Sequence, residues 1–246
     1  MNALLPHGLD RLRPLLARAA VLLDFDGTLA PIVPRPEDAR PIPGAAEVLA
    51  GLAARARAVA IVTGRPAAQV RALLPVAGLR VVGLYGFEGH PPLPPEVLAA
   101  VEAVAAAEPG ARVEPKGPSV AVHVRTADDP DGAQRRLRRA LEPVAAAHGL
   151  VVRAGKRVWE LVPAGVGSKA GAVAALIDEL RPAAVLYAGD DVADLEAFGA
   201  LGRAERSGLV AVRVAVHGPE TPAALEEAAD AVVNGPEGLL DLLRGL

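Results

Sequence analysis

Apolar runs recur along this chain, and several of them break abruptly into polar chemistry. Ala19-Ala-Val-Leu-Leu23 runs into Asp24-Phe-Asp-Gly-Thr28, Ala58-Val-Ala-Ile-Val62 runs into Thr63-Gly-Arg65, and Val185-Leu-Tyr-Ala188 runs into Gly189-Asp-Asp-Val-Ala-Asp194.

 The runs are continuous rather than alternating, which is the pattern of strands buried on both faces. Ala/Leu/Arg stretches of helical period separate them. The pattern predicts strands near 21–25, 58–62, 80–85, 184–188, 209–215 and 231–233. Helices are predicted from Pro43-Gly44 to about Arg57, and over 66–75, 169–180, 191–200, 221–228 and 236–245. This βαβ rhythm predicts an α/β fold, a Rossmann-like parallel-sheet core with helices on both faces.

Between 90 and 164 the rhythm changes. His90-Pro-Pro-Leu-Pro-Pro is a stiff connector that cannot supply donors to a central strand. A helix over 95–107, two strands around Lys116-Gly-Pro118, an Arg-rich helix over 131–147 and two strands around Gly155 follow. The glycine-rich stretch Pro163-Ala-Gly-Val-Gly-Ser168 leads back. The expected organisation is a catalytic core of 1–88 and 165–246 with a smaller α+β cap, 89–164, inserted as a lid.

Composition narrows the classes. The formal charge of -3 gives no support for nucleic-acid or anionic-membrane partners, and no apolar run is long enough to span a bilayer. The first 20 residues carry Asp10 and arginines without a signal-peptide pattern, so a cytoplasmic protein, a monomer, is expected. The absence of cysteine removes disulfides, thiolate catalysis and Cys-type zinc sites, and the five histidines form no ligand pair at helical spacing. Of 26 basic residues only Lys116, Lys156 and Lys169 are lysines. A retained lysine suggests a site that needs a compact ammonium rather than a guanidinium fork.

The strand ends carry the candidate chemistry. In an open α/β sheet the ligand crevice lies at the carboxyl ends of the strands. Asp24 and Asp26, two residues apart, can both address it while Phe25 packs the other way. Paired carboxylates repel and call for a hard cation such as Mg²⁺. With phosphate as ligand, one carboxylate suits a nucleophile and the other a general acid and base. Thr63 and the N–H groups after it suit phosphate oxygens at a helix N-terminus, Lys169 can pair with phosphate and with Asp24, and Asp190 and Asp191 complete an acidic cluster. Read alone, Asp-x-Asp-Gly is equally an acidic turn bonding nearby N–H groups.

The order Asp24-x-Asp26-Gly-Thr, Thr63-Gly-Arg65, Lys169 and Gly189-Asp-Asp-x-x-Asp194 resembles the haloacid dehalogenase superfamily of aspartate-nucleophile phosphatases over nearly the whole chain. Within it, Tyr85-Gly-Phe-Glu88 is similar to the Gly-x-Glu loop of the trehalose-6-phosphate phosphatase family. Glu114-Pro-Lys116 with His123-Val-Arg125 resembles that family's Glu-x-Lys…His-x-Arg segment, and Val158-Trp-Glu160-Leu its Val-x-Glu strand. Ala170 stands where the family usually has Gly, and Ala193 and Leu195 where Thr and Glu are commoner.

The resemblance implies Mg²⁺-dependent hydrolysis of trehalose 6-phosphate to trehalose and phosphate through an aspartyl-phosphate. Asp24 would be nucleophile and Asp26 general acid, with Thr63 and Lys169 on the phosphoryl group. The implied metal ligands are Asp24, Asp26, Asp190 and Asp191, with Asp194 orienting the shell; Asp191 is read as a direct ligand, a ligand through water or the partner of Lys169. Gly64, Arg65, Glu88, Glu114, Lys116 and Glu160 would contact the sugar phosphate, and Arg65 is read equally as a surface cap. Glu114, Lys116 and Glu160 are otherwise a surface salt-bridge ladder, His123 is read as structural, and Trp159 as packing. The competing functions are the same chemistry on another phosphorylated sugar such as sucrose phosphate or mannosyl phosphoglycerate, a mutase, and a sugar-phosphate-binding module without turnover.

Overall fold

The computed structural model describes residues 8–164 and 167–246. Part of the Pro163–Ser168 connector, residues 165–166, and residues 1–7 of the N-terminal stretch lie outside the described residues. The chain divides into two compact units, Met1–Gly86 with Gly167–Leu246, and Phe87–Val166.

The first unit is built on a six-stranded parallel sheet. Its strands are β1 (Ala19–Leu23), β2 (Ala58–Val62), β3 (Leu79–Val82), β8 (Ala184–Gly189), β9 (Val210–His217) and β10 (Ala231–Asn234), the numbers 4 to 7 falling to the second unit. The spatial order is β10-β9-β8-β1-β2-β3. From β1 the chain winds outward through β2 and β3, and from β8 outward the other way through β9 and β10. The order therefore reverses between β1 and β8, the place where open α/β sheets bind ligands. Ala19 of β1 is level with Ala184 of β8, and the backbone N–H of Asp24 still donates to the Ala188 carbonyl at 2.9 Å. This register brings the ends of both strands to one edge.

Alternate residues of each strand enter opposite cores, as the pleat requires. Val21, Leu23, Val59, Ile61 and Leu186 pack with Leu49 and Leu52 of α2 (Ala45–Ala53), Val70 of α3 (Ala67–Leu73), and Leu239 and Leu243 of α9 (Gly235–Arg244). Ala20, Leu22, Ala60, Val62 and Tyr187 pack with Val173 and Leu176 of α6 (Lys169–Leu180), Phe198 and Leu201 of α7 (Val192–Glu205), and Leu225 of α8 (Ala223–Glu227).

Two features depart from the sequence pattern. A short helix, α1 (Leu9–Leu12), continues into a 3-10 turn over Arg13–Arg18, and buried Leu9 and Leu12 join the first core. One helical turn is too short to leave a periodic signal. Strand β3 ends at Val82, short of the expected 85, because Gly83–Gly86 coils into a tight turn.

The second unit holds an antiparallel sheet of order β4-β5-β7-β6, formed by β4 (Arg112–Pro115), β5 (Val120–His123), β6 (Leu150–Gly155) and β7 (Val158–Pro163). Helices α4 (Pro95–Ala106) and α5 (Pro130–Ala147) supply Val97, Val101, Leu137 and Leu141 to a core with Val120, Val122, Trp159 and Leu161. Asp129 caps α5, accepting from Gly132 N–H at 2.9 Å. Trp159 packs in this core and donates its indole N–H to the Gln134 carbonyl at 2.7 Å. The proline-rich connector belongs to this unit, with Leu93 N–H donating to the Gly117 carbonyl at 2.7 Å. The opposite face of the sheet is polar, since Glu114 is level with Ala121, Ala121 with Glu160, and Glu160 with Arg153 across the four strands. Among the described residues no helix is long and apolar enough to cross a membrane.

Candidate active site

Asp24 follows β1, Thr63 follows β2 and Asp190 follows β8, so the strand order alone delivers these three to one sheet edge. Lys169 comes from the first turn of α6, whose start is set by Ser168: its hydroxyl accepts from Gly171 N–H at 3.0 Å. Asp24, Thr28, Thr63, Lys169, Asp190 and Asp194 are all buried.

The Lys169 ammonium lies 2.8 Å from Asp24 Oδ1 and 2.6 Å from Asp194 Oδ1. Asp194 is fully engaged. Its Oδ1 also accepts from the Tyr187 hydroxyl at 2.6 Å, and its Oδ2 accepts from the N–H groups of Asp190 and Asp191, each at 2.9 Å. Glycine at 189 is required here, because a Cβ would fall 2.1 Å from the Asp194 carboxyl carbon. Lys169 is thus held by Asp194 rather than by Asp191, whose carboxylate accepts from Val192 N–H at 2.6 Å and caps α7.

Three carboxylates, of Asp24, Asp190 and Asp194, bring possible ligand atoms within 4.8 Å of one another. The Lys169 ammonium offsets only part of their charge. Burial pushes the Asp24 carboxyl well above the usual range, and Asp194 and Asp190 add to this while Lys169 opposes it. Burial lowers the proton affinity of Lys169, yet Asp194 and Asp24 outweigh it and hold the ammonium well above its ordinary value. Because the hydrogen bonds to Asp194 occupy both of its oxygens, Asp24 and Asp190 retain the capacity to bind a hard divalent cation. The Thr28 hydroxyl bridges them, 3.5 Å from Asp24 Oδ2 and 3.4 Å from Asp190 Oδ1. The donor set of buried carboxylate oxygens with excess negative charge fits such an ion.

Asp26 and Asp191, both expected among the ligands, stand outside this three-carboxylate group. Asp26 is instead gripped by Arg65, whose Nε and Nη2 each donate at 2.6 Å to a different carboxylate oxygen. Arg65 is buried, donates also to the Pro36 carbonyl at 2.7 Å and stacks 5.2 Å from the Phe25 ring centroid. The guanidinium therefore pairs with a carboxylate and, being buried, is not a surface cap. Thr63 accepts from Arg65 N–H at 3.1 Å, folding the Thr63-Gly64-Arg65 loop over the end of β2.

Glu88, Glu114, Lys116 and Glu160 lie in the second unit. Glu88 is exposed. Glu114 contacts His123 Nε2 at 2.7 Å, a diagonal cross-strand pair. Glu160, buried, accepts from the Ser119 hydroxyl at 2.8 Å and lies 3.5 Å from the Lys116 ammonium. Burial raises the Glu114 carboxyl, but the His123 hydrogen bond and the Lys116 charge overcome it and bring its pKa from 4.5 down to about 2. Sequence reasoning assigned no role to Tyr187 or Thr28. The signal for Tyr187 was a hydroxyl inside an otherwise apolar strand, since a buried phenol needs a partner.

A parallel sheet with this strand order, an acidic cluster at the reversal of that order and an inserted α+β unit define a haloacid dehalogenase-like fold, shared with solved hydrolases of that class. The trehalose-phosphatase family model matches residues 22–96 and 92–230. The chain belongs to the trehalose-phosphatase family. It is 39% identical over 230 residues to an uncharacterised glycosyl hydrolase of Mycobacterium tuberculosis, covering 84% of this chain and 17% of that protein. It is 37% identical over 220 residues to the trehalose-phosphate phosphatase of Mycobacterium ulcerans, covering 80% of this chain and 54% of that one. The matches thus span no more than about half the length of these curated relatives. The C-terminal domain of the C. albicans trehalose-6-phosphate phosphatase superimposes with a TM-score of 0.80 at 22% identity, over 99% of this chain and 98% of that one.

Two predictions follow from this geometry. Gly27 has φ +83°, and a Cβ there would fall 1.8 Å from Asp190 Oδ2. Gly27→Ala displaces Asp190, so divalent-cation affinity measured by calorimetry falls by about ten- to a hundredfold. Glu114 has a lowered folded pKa, so its contribution to stability is full above pH 4.5 and is lost as pH falls towards about 2. The gap in thermal midpoint between the parent and Glu114→Gln is accordingly widest above that upper value and closes in acid.

Proposed function

We propose that this chain is a Mg²⁺-dependent phosphatase that hydrolyses trehalose 6-phosphate to trehalose and phosphate through an aspartyl-phosphate on Asp24. The observation that carries the reading is the buried Asp24 carboxylate held on one oxygen by Lys169 at 2.8 Å and flanked by Asp190 across Thr28. Family membership and the relatives named as trehalose-phosphate phosphatases support the substrate. Mg²⁺, held by Asp24 and Asp190, would neutralise charge between carboxylate and phosphate.

In the first step an Asp24 oxygen forms a bond to phosphorus while the bond to the sugar oxygen breaks, and Asp26 gives that oxygen a proton. In the second, water attacks phosphorus, Asp26 takes its proton and the Asp24 oxygen leaves with its electron pair. Lys169 and the Thr63-Gly64 loop stabilise the equatorial oxygens. Arg65 keeps Asp26 oriented beside them, and one carboxylate oxygen must leave the guanidinium to carry the proton. The polyol half of the substrate calls for carboxylate and ammonium groups that bond hydroxyls, and we assign this to Glu114, Lys116 and Glu160.

The test is phosphate release from trehalose 6-phosphate, sucrose 6-phosphate, glucose 6-phosphate and mannosyl phosphoglycerate, with Mg²⁺ and with excess chelator. Trehalose 6-phosphate is expected to give the highest kcat/KM, and chelator to abolish release. Preference for another ester would reassign the substrate. Asp24→Asn should remove turnover with the fold intact; activity kept within about tenfold, about 1.4 kcal/mol of barrier, would rule out the nucleophile. Glu114→Ala, Lys116→Ala and Glu160→Ala should each lower kcat/KM for trehalose 6-phosphate by roughly ten- to a hundredfold while hydrolysis of a small aryl phosphate changes little. Parent-like rates in all three would return these residues to a structural ladder.

A further inference from the structure

Leu84 and Tyr85 have left-handed backbone, φ 46° and 52°, although neither is glycine. Strain of this kind persists where surrounding contacts over-determine it, and it clusters at functional sites. Here the contacts run to the Thr63-Gly64-Arg65 loop. Leu84 N–H donates to the Arg65 carbonyl and Tyr85 N–H to the Thr63 carbonyl, both at 3.0 Å, and Thr63 N–H donates to the Val82 carbonyl at 3.1 Å. The turn buries Leu84 and leaves Tyr85 half-buried.

The phenol of Tyr85 lies on the bare Cα of Gly64. A Cβ at that position would fall 2.7 Å from the hydroxyl oxygen and 2.9 Å from the carbon bearing it. Gly64 has an ordinary backbone conformation, so its missing side chain answers to this approach and not to its own φ. The Tyr85 ring is thus fastened to Thr63-Gly64, the loop that in the reading above holds the transferring phosphoryl group together with Lys169.

We propose that Tyr85 is a further catalytic residue, whose hydroxyl donates to an equatorial oxygen of the phosphoryl group beside Thr63 and Lys169. This rests on the phosphatase reading. A neutral donor at this place strengthens as charge develops on the oxygen and adds no cation to a site that already holds Lys169. The strained turn is what brings it there, since extended residues at 84 and 85 would continue β3 past the loop.

Tyr85→Phe keeps the ring over Gly64 and removes only the hydroxyl. The expected result is a fall in kcat/KM of about three- to tenfold for both trehalose 6-phosphate and p-nitrophenyl phosphate, a rise of similar size in the inhibition constant of inorganic phosphate, and an unchanged thermal midpoint. Unchanged kinetics on both esters would overturn the proposal. So would a loss confined to trehalose 6-phosphate, which would put the hydroxyl on the sugar, or a lower midpoint with phosphate inhibition unaltered, which would make the residue structural. If the parent releases phosphate from neither ester, it is the phosphatase reading that fails. Calorimetry with inorganic phosphate then decides Tyr85: weaker binding by Tyr85→Phe supports a phosphate donor, and equal binding overturns it.

Discussion

The larger unit depends on one buried ammonium held between two buried carboxylates. Lys169 reaches Asp24 at 2.8 Å and Asp194 at 2.6 Å, with no more than a few per cent of any of the three side chains exposed. Taking these charges out of water is expensive, and the arrangement stands only because further hydrogen bonds complete it. Tyr187 and the two amides of the β8–α7 loop satisfy Asp194, so this carboxylate fastens Lys169 and the strand end carrying Asp190 at once. The remaining negative charge is left on Asp24 and Asp190, which is where a cation is attracted.

This constraint explains residues that have no chemistry of their own. Gly189 and Gly27 are small because Asp194 and Asp190 occupy the space a Cβ would need. Ser168 starts α6 one residue before Lys169 and thereby aims it. The placement of the cluster follows from topology, since β1 and β8 are neighbours at which the winding of the sheet changes direction.

The second unit solves a different problem with a two-faced sheet. Val120, Val122, Trp159 and Leu161 bury one face against α4 and α5, while Glu114, Lys116, His123 and Glu160 lie on the other in paired contacts. Such pairing keeps Glu114 ionised: its pKa is brought down to about 2 despite its burial. A face of polar, mutually oriented groups suits a neutral polyol better than a hydrophobic ligand.

Much of this was legible in the amino-acid order. Continuous apolar runs located the buried strands, and the acids, threonine and lysine at their ends named the site, because both signals are local in the chain. Partner choice was not. The bidentate hold of Arg65 on Asp26 joins residues 39 apart, and the contact of Lys169 with one oxygen of Asp194 joins residues 25 apart. Spacing therefore left Arg65 between phosphate and surface, and offered Asp24 and Asp191, not Asp194, as partners of Lys169. The end of β3 was equally hidden, because left-handed Leu84 and Tyr85 oppose their own backbone preferences and are held by bonds to the Thr63-Gly64-Arg65 loop. Local pattern and residue type determined which elements form and which groups gather at the sheet edge; the packing of α6 and α7 against the sheet decided which carboxylate holds which cation, since that depends on distances set only after the strands align.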